Sequence, residues 1–304
     1  MARPIALQSV ALRLATWIVG RTPLRISYPL AWVAGQAVFL LWFGGRRRCI
    51  ANMRRVSGGD RALARRYARR SFAYYGLYMV DFLRMGRVTP AEVRERVEYD
   101  GWQTIEGARK GSGSVFVSMH FGNWDFGAAR VAGRGIPLSA IADTFDDASL
   151  NDLVVGTRER LGVAIIPAER LATGVFRALR RNELVVMLLD VPSSDVEVEF
   201  FGEPIAVAAG PARIALRTGA SVITGMLARS GPRSPRFEPV IQRVAYEPSG
   251  DAERDVRELT QAMVTSMEQT VRRYPEQWYI FRQLWVADRA AARPRPRAGA
   301  GAGA

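Results

Sequence analysis

From residue 95 onward, short apolar runs alternate with amphipathic stretches, and this alternation limits the fold more than any other feature of the chain. The runs SVFVSM (114–119), IPLSAIA (136–142), VAIIP (163–167), LVVMLL (184–189), SVITGML (221–227) and FEPVIQRVAY (237–246) are rich in branched and aromatic residues and read as strands. Residues 123–133, 148–161, 169–182 and 210–219 read as helices between them, and 251–273 as a longer one. Strands separated by helices of this length return in the same direction. The pattern therefore predicts an α/β domain over 96–287, with a mostly parallel central sheet flanked by helices. VEVEFF (196–201) is expected as an antiparallel addition. The tail from Asp288, ending ARPRPRAGAGAGA, is low in complexity and expected to be disordered.

Residues 1–95 follow a different rule. Tyr28 to Gly45 is a stretch of 18 residues without a charge. As a helix it would measure about 27 Å, slightly short of a hydrocarbon core of roughly 30 Å. The two readings of it are a hydrophobic membrane-anchoring helix and a buried core helix. Residues 46–70 follow with ten arginines against one acid, Asp60, and SFAYYGLYMVDFLRMG (71–86) adds aromatic and aliphatic residues. Cations beside aromatics and an apolar helix suit an anionic bilayer surface, and the positive-inside rule puts the chain that follows them on the cytoplasmic face of a cell membrane.

The net charge of +14 would also attract nucleic acid. No helix-turn-helix, zinc-finger or RNA-recognition signature accompanies it, so no nucleic-acid partner is expected. Of the 43 basic residues only Lys110 is a lysine, an imbalance that weakens any argument from a single arginine. One cysteine, Cys49, excludes an internal disulfide and a multi-cysteine metal site. Its place beside Arg46, Arg47 and Arg48 leaves activation or lipidation to be weighed against ordinary packing. One histidine, His120, excludes a multi-histidine metal site. No metal and no cofactor is expected.

The run SVFVSMHFGNWDFG concentrates the polar chemistry. An apolar strand ends at Met119, and His120, Gly122, Asn123 and Asp125 follow at the carboxyl edge, where α/β sheets bind ligands. Asp125, five residues on, is expected to fold back onto the imidazole and fix its tautomer. A neutral imidazole held by a carboxylate can take the proton of a hydroxyl nucleophile. The amides of the following helix are expected to stabilise an oxyanion. No serine-hydrolase elbow, P-loop or dinucleotide fingerprint is present.

HFGNWD, together with VEVEFFGEPIAVAAGPARIALRTGA (196–220) and PEQWYIFRQLW (275–285), resembles the bacterial late lipid A and phosphatidylinositol mannoside acyltransferases, within the wider lysophospholipid/glycerol-phosphate acyltransferase group. The resemblance implies a glycerol-phosphate acyltransferase-like fold and transfer of a fatty acyl group from acyl-CoA or an acyl carrier protein to a glycolipid hydroxyl. It implies His120 as catalytic base, Asp125 as its motif partner and Glu197 as a carboxylate completing a charge relay. Arg158 would bind the acceptor's phosphate or sugar, Asp190 would orient acceptor hydroxyls, and Arg217 would line the site. The competing functions are acyl transfer to a lysophospholipid or glycerol phosphate, and a non-catalytic lipid-binding protein of the membrane surface.

Overall fold

The computed structural model describes residues 3–109, 111–142, 145 and 147–292. Four helices lead: α1 (Arg3–Arg21), α2 (Leu24–Leu41), α3 (Phe43–Val56) and α4 (Arg61–Arg84). The uncharged stretch does not form one helix. α2 ends at Leu41, the backbone leaves helical geometry at Trp42, and Gly44 and Gly45 belong to α3. α4 starts where the Asp60 carboxylate accepts from the Leu63 amide at 2.9 Å, satisfying one of the orphan donors of a helix start. α2 lies so close to α4 that a Cβ at Gly35 would collide with the Phe72 and Ala73 backbone. Its opposite side, including Leu30, Val33, Leu40 and Leu41, is exposed. α2 is therefore not a core helix.

α5 (Pro90–Arg96) and α6 (Trp102–Ala108) lead into the α/β body. It continues through β1 (Ser114–Ser118), α7 (Trp124–Ala132), β2 (Leu138–Ala142), α8 (Ala148–Asn151), a π turn at Asp152–Gly156, α9 (Thr157–Arg160), β3 (Ala164–Pro167), α10 (Leu171–Arg180) and β4 (Leu184–Leu188). Then come β5 (Pro192–Phe200), β6 (Glu203–Val207), α11 (Gly210–Thr218), β7 (Ser221–Arg229), β8 (Phe237–Val244), α12 (Ala252–Arg273) and α13 (Val286–Ala292). Six strands form one sheet in the order β3-β2-β4-β1-β7-β8, parallel except for β8. The mostly parallel central sheet is as expected. β1 is central, and its residues are buried or nearly so, as a strand covered on both faces must be.

Two local expectations need correction. VEVEFF is antiparallel, but it pairs with β6 in a separate two-stranded sheet and does not extend the main one. Its partner β6 was not among the strands read from the sequence. It runs GluProIleAlaVal, with Ile205 and Val207 buried, so its strand character rests on two apolar residues. The tail is also ordered further than its composition suggests. Asp288 lies in α13 and accepts from both terminal nitrogens of Arg55, at 2.8 and 3.1 Å, while Arg55 Nε holds Glu203 at 2.8 Å. Residues 293–304 lie outside the described residues.

Several arginines of the basic run serve the fold. Arg48 Nε donates to the Phe281 carbonyl at 2.8 Å, and Arg70 pairs with Glu276 at 3.0 Å. Cys49 is fully buried, and burial pushes its thiol up to about 12. A thiol in that state is neither nucleophilic nor accessible for lipidation, which leaves packing as its role.

A buried charge cluster joins the leading helices to the sheet. Asp81 of α4 accepts from Arg96 at 2.6 Å, from Tyr28 Oη of α2 at 2.8 Å, from Asn123 Nδ2 at 3.2 Å, and from Arg229 at the end of β7. Burial opposes ionisation of this carboxyl, yet the two guanidiniums hold it below its ordinary range. Removing one partner of such a cluster strands the others without water. Asp81→Ala is expected to lower unfolding stability by about 3–5 kcal/mol, read as a reduced urea midpoint with an unchanged slope.

Candidate active site

β1 and β4 are parallel neighbours with Ser118 level with Leu188. Two residues beyond each, at the carboxyl edge of the sheet, stand His120 and Asp190. The register therefore brings them together. His120 Nδ1 lies 2.8 Å from Asp190 Oδ1, while Asp190 Oδ2 accepts from the His120 amide at 3.0 Å and from Trp278 Nε1 at 3.0 Å. An ionised carboxylate can only accept, so Nδ1 carries the proton and Nε2 presents its lone pair. Asp190 is fully buried and His120 is 30% exposed. The imidazole opens into a cavity of about 540 Å³, walled by Trp42, Tyr75, Tyr78, Trp124 and Tyr279, with Arg158 and Arg282 also on it.

Burial alone would push the His120 imidazole down. The charge and hydrogen bond of Asp190 outweigh it and hold the ring above its ordinary value, with Arg282 pulling the other way. Burial would likewise push the Asp190 carboxyl up, and the His120 and Trp278 donors hold it down.

The turn after His120 is set by the chain around it. Gly122 has φ +56°, and a Cβ there would strike the Leu227 carbonyl, so only glycine fits. The Tyr279 amide donates to the His120 carbonyl at 2.8 Å, and the Gly122 amide to the Gln277 carbonyl at 2.9 Å. The segment 277–279 thus clips the loop in place. The amides of Phe121, Gly122 and Asn123 are committed to the carbonyls of Met119, Gln277 and Leu227. They are not free to receive an oxyanion.

The expected contact between Asp125 and the imidazole is not made. Asp125 is the second residue of α7, and its carboxylate turns away from the imidazole. It accepts from Tyr78 Oη at 2.8 Å and from Arg158 Nε at 2.7 Å. Tyr78 in turn packs on Trp124, with ring centroids 4.2 Å apart. Burial and the facing Asp125 charge push the Tyr78 phenol far up, so it stays a donor. Asp125 therefore orders the pocket wall, and Arg158 reaches the site through it.

Asp190 was expected to orient acceptor hydroxyls, but it is buried behind the imidazole and hydrogen-bonded to its Nδ1. Glu197 is exposed on β5, in a separate cleft with Arg213 and Arg257, and does not approach His120. Alternation along β5 points Val196 and Val198 inward and Glu197 outward. Arg217 lies at the opposite, amino end of the strands, stacked over the Phe176 ring at 5.0 Å. Trp278 and Arg282 were quoted in the resemblance without a role, and both belong to the site. Asp190 was legible in principle, because two adjacent parallel strands each end in a polar residue, SM-His and LL-Asp.

Beyond Trp124 lies a second and smaller pocket of about 60 Å³, between α7 and the sheet. Its walls are almost wholly apolar, with Phe116, Leu184, Val186, Gly225 and Ile241 among them. Trp124 stands in the wall of both spaces. A Cβ at Gly225 would overlap the Phe116 ring.

The chain is similar to curated proteins over nearly its whole length. A phosphatidylinositol mannoside acyltransferase of Mycobacterium tuberculosis is 26% identical over 300 residues, covering 90% of this chain and 92% of the relative. One from Mycolicibacterium smegmatis is 27% identical over 262 residues, covering 82% and 83%. The model of the family described as bacterial lipid A biosynthesis acyltransferase matches residues 6–287. The chain belongs to that acyltransferase family.

Proposed function

We propose that this acyltransferase moves a fatty acyl group from an acyl thioester, acyl-CoA or an acyl carrier protein, to a hydroxyl of a glycolipid of the phosphatidylinositol mannoside or lipid A precursor type, at the cytoplasmic face of the inner membrane. One observation carries the reading. The only histidine of the chain is fixed by a buried carboxylate through Nδ1 and turns Nε2 toward an open cavity with aromatic walls. Nε2 takes the acceptor's hydroxyl proton as the oxygen attacks the thioester carbonyl carbon. Asp190 stabilises the imidazolium that forms. The tetrahedral intermediate collapses, the C–S bond breaks, and the thiolate takes the proton back from Nε2. No step calls for a metal or a cofactor.

The apolar pocket behind Trp124 is the proposed seat of the acyl chain. Each buried methylene contributes about 0.8 kcal/mol, so its size can select chain length. The membrane reading rests on α1 and α2, whose exposed faces carry Leu14, Trp17, Leu30, Val33 and Leu41. α2 is held against α4 along one side, at Gly35 and through Tyr28 Oη on Asp81. That arrangement favours a helix embedded along the surface over one that crosses the bilayer. A glycolipid acceptor is supported by the names of the relatives, which favours it over a lysophospholipid.

Acyl transfer by purified protein into glycolipid-containing vesicles tests the reading. His120→Ala is expected to lose about 10²–10⁴-fold in rate while keeping its fold and vesicle binding. Retained turnover would remove the base. The raised imidazole pKa places the acidic limb of the kcat/KM profile above the ordinary histidine value, because only the neutral ring accepts the proton. Asp190→Asn should move that limb to lower pH and cut kcat by about 10²–10⁴-fold, since the imidazolium loses its partner. An unmoved limb would detach Asp190 from the proton transfer. Gly225→Val should shift the preferred acyl chain to shorter lengths, read by mass spectrometry of the product. An unchanged chain profile would place the acyl group elsewhere.

A further inference from the structure

Arg282 stands apart from the other charged groups around the cavity. Its backbone is fixed: Asn52 Nδ2 donates to the carbonyls of Ile280 and Arg282 at 3.1 and 2.8 Å, and Arg48 holds the Phe281 carbonyl between them at 2.8 Å. Its side chain is exposed and lines the cavity with His120. Among the described residues, no carboxylate or carbonyl accepts from its guanidinium. The cavity's other arginine, Arg158, is neutralised by Asp125 at 2.7 Å. His120, on the cavity, is paired with Asp190 behind it. A cation held on a fixed backbone, uncompensated and beside the base, leaves the cavity needing an anion.

We propose that Arg282 is the phosphate-binding residue of this site, its guanidinium taking two oxygens of a phosphate mono- or diester on one of the two substrates. The planar fork of arginine matches two phosphoryl oxygens, and charge-assisted pairs of this kind are roughly twice as strong as neutral ones. The phosphate can belong to the lipid acceptor's headgroup or to the carrier arm of the thioester donor; the chemistry is the same. The proposal rests on the acyl-transfer reading, which supplies both substrates. Arg282 also opposes protonation of His120, so an anion seated on it would favour uptake of the hydroxyl proton.

The test uses the full chain in detergent micelles, with Arg282→Gln, Arg282→Lys and, as a surface-charge control, Arg65→Gln. Arg282→Gln is expected to raise KM for one substrate roughly 10–100-fold with a much smaller change in kcat, and Arg282→Lys to recover part of the loss. A rise confined to the glycolipid places the phosphate on the acceptor, and one confined to the thioester places it on the donor. The acidic limb of kcat/KM should move to higher pH in Arg282→Gln. Inorganic pyrophosphate, titrated calorimetrically, should bind the parent and Arg65→Gln alike and Arg282→Gln at least tenfold more weakly. Equal pyrophosphate binding by the parent and Arg282→Gln, or unchanged KM for both substrates, would overturn the assignment. The calorimetry needs no turnover, so an inactive parent would count against acyl transfer while Arg282 is still judged.

Discussion

Asp190 is the constraint on which the rest of this site depends. One oxygen faces the imidazole, and the other collects the His120 amide and the Trp278 indole. The carboxylate thus fixes the ring, the backbone that carries the ring, and the aromatic segment that closes the loop. Burial would protonate an isolated carboxyl here, and three donors keep it charged. On the proposed mechanism, any substitution that loosens Trp278 should act on the proton transfer through Asp190, although Trp278 is itself fully buried.

The architecture was largely legible because periodicity and burial agree. The helices read at 123–133, 169–182 and 251–273 form as α7, α10 and α12, and β8 reads as a strand whichever way it runs. His120 was legible as the single histidine at a strand end. Its carboxylate partner was assigned wrongly for a physical reason. Closeness in sequence favoured Asp125, yet the turn at Gly122 and the start of α7 carry that side chain to Tyr78 and Arg158. Parallel register works at long range: Asp190 is 70 residues from His120 and level with it. Glu197 failed on alternation, since Val196 and Val198 hold the inward positions of β5. Arg217 failed on polarity of the sheet, because α11 runs back to the end opposite the site.

The basic run between 46 and 70 reads in sequence as an electrostatic surface, and part of it is structural. Arg48, Arg55 and Arg70 reach across to 281, to 203 and 288, and to 276. These contacts bind the carboxyl-terminal segment, and with it Trp278, to the leading helices. The sequence could not separate these arginines from exposed ones such as Arg65 and Arg66, because the distinction lies in partners more than 140 residues away. The leading helices and the α/β body are thereby one unit, with Asp81 buried between Tyr28, Arg96, Arg229 and Asn123.

That unity bears on how a lipid reaches His120. Trp42 closes the exposed apolar face of α2 and is also a wall of the His120 cavity. If the bilayer lies against that face, as proposed above, the cavity would open where the membrane ends. Lifting a two-chain lipid wholly into water would expose on the order of thirty methylenes, roughly 24 kcal/mol at about 0.8 kcal/mol each. No binding cavity of this size offsets such a cost. On the proposed function, a glycolipid acceptor would keep its chains in the membrane and offer only its headgroup to Nε2, which would require His120 to be mounted rigidly against α1 and α2. The chain Tyr28–Asp81–Asn123 provides that mounting, since Asn123 Oδ1 also caps α7 by accepting from the Phe126 amide at 3.0 Å.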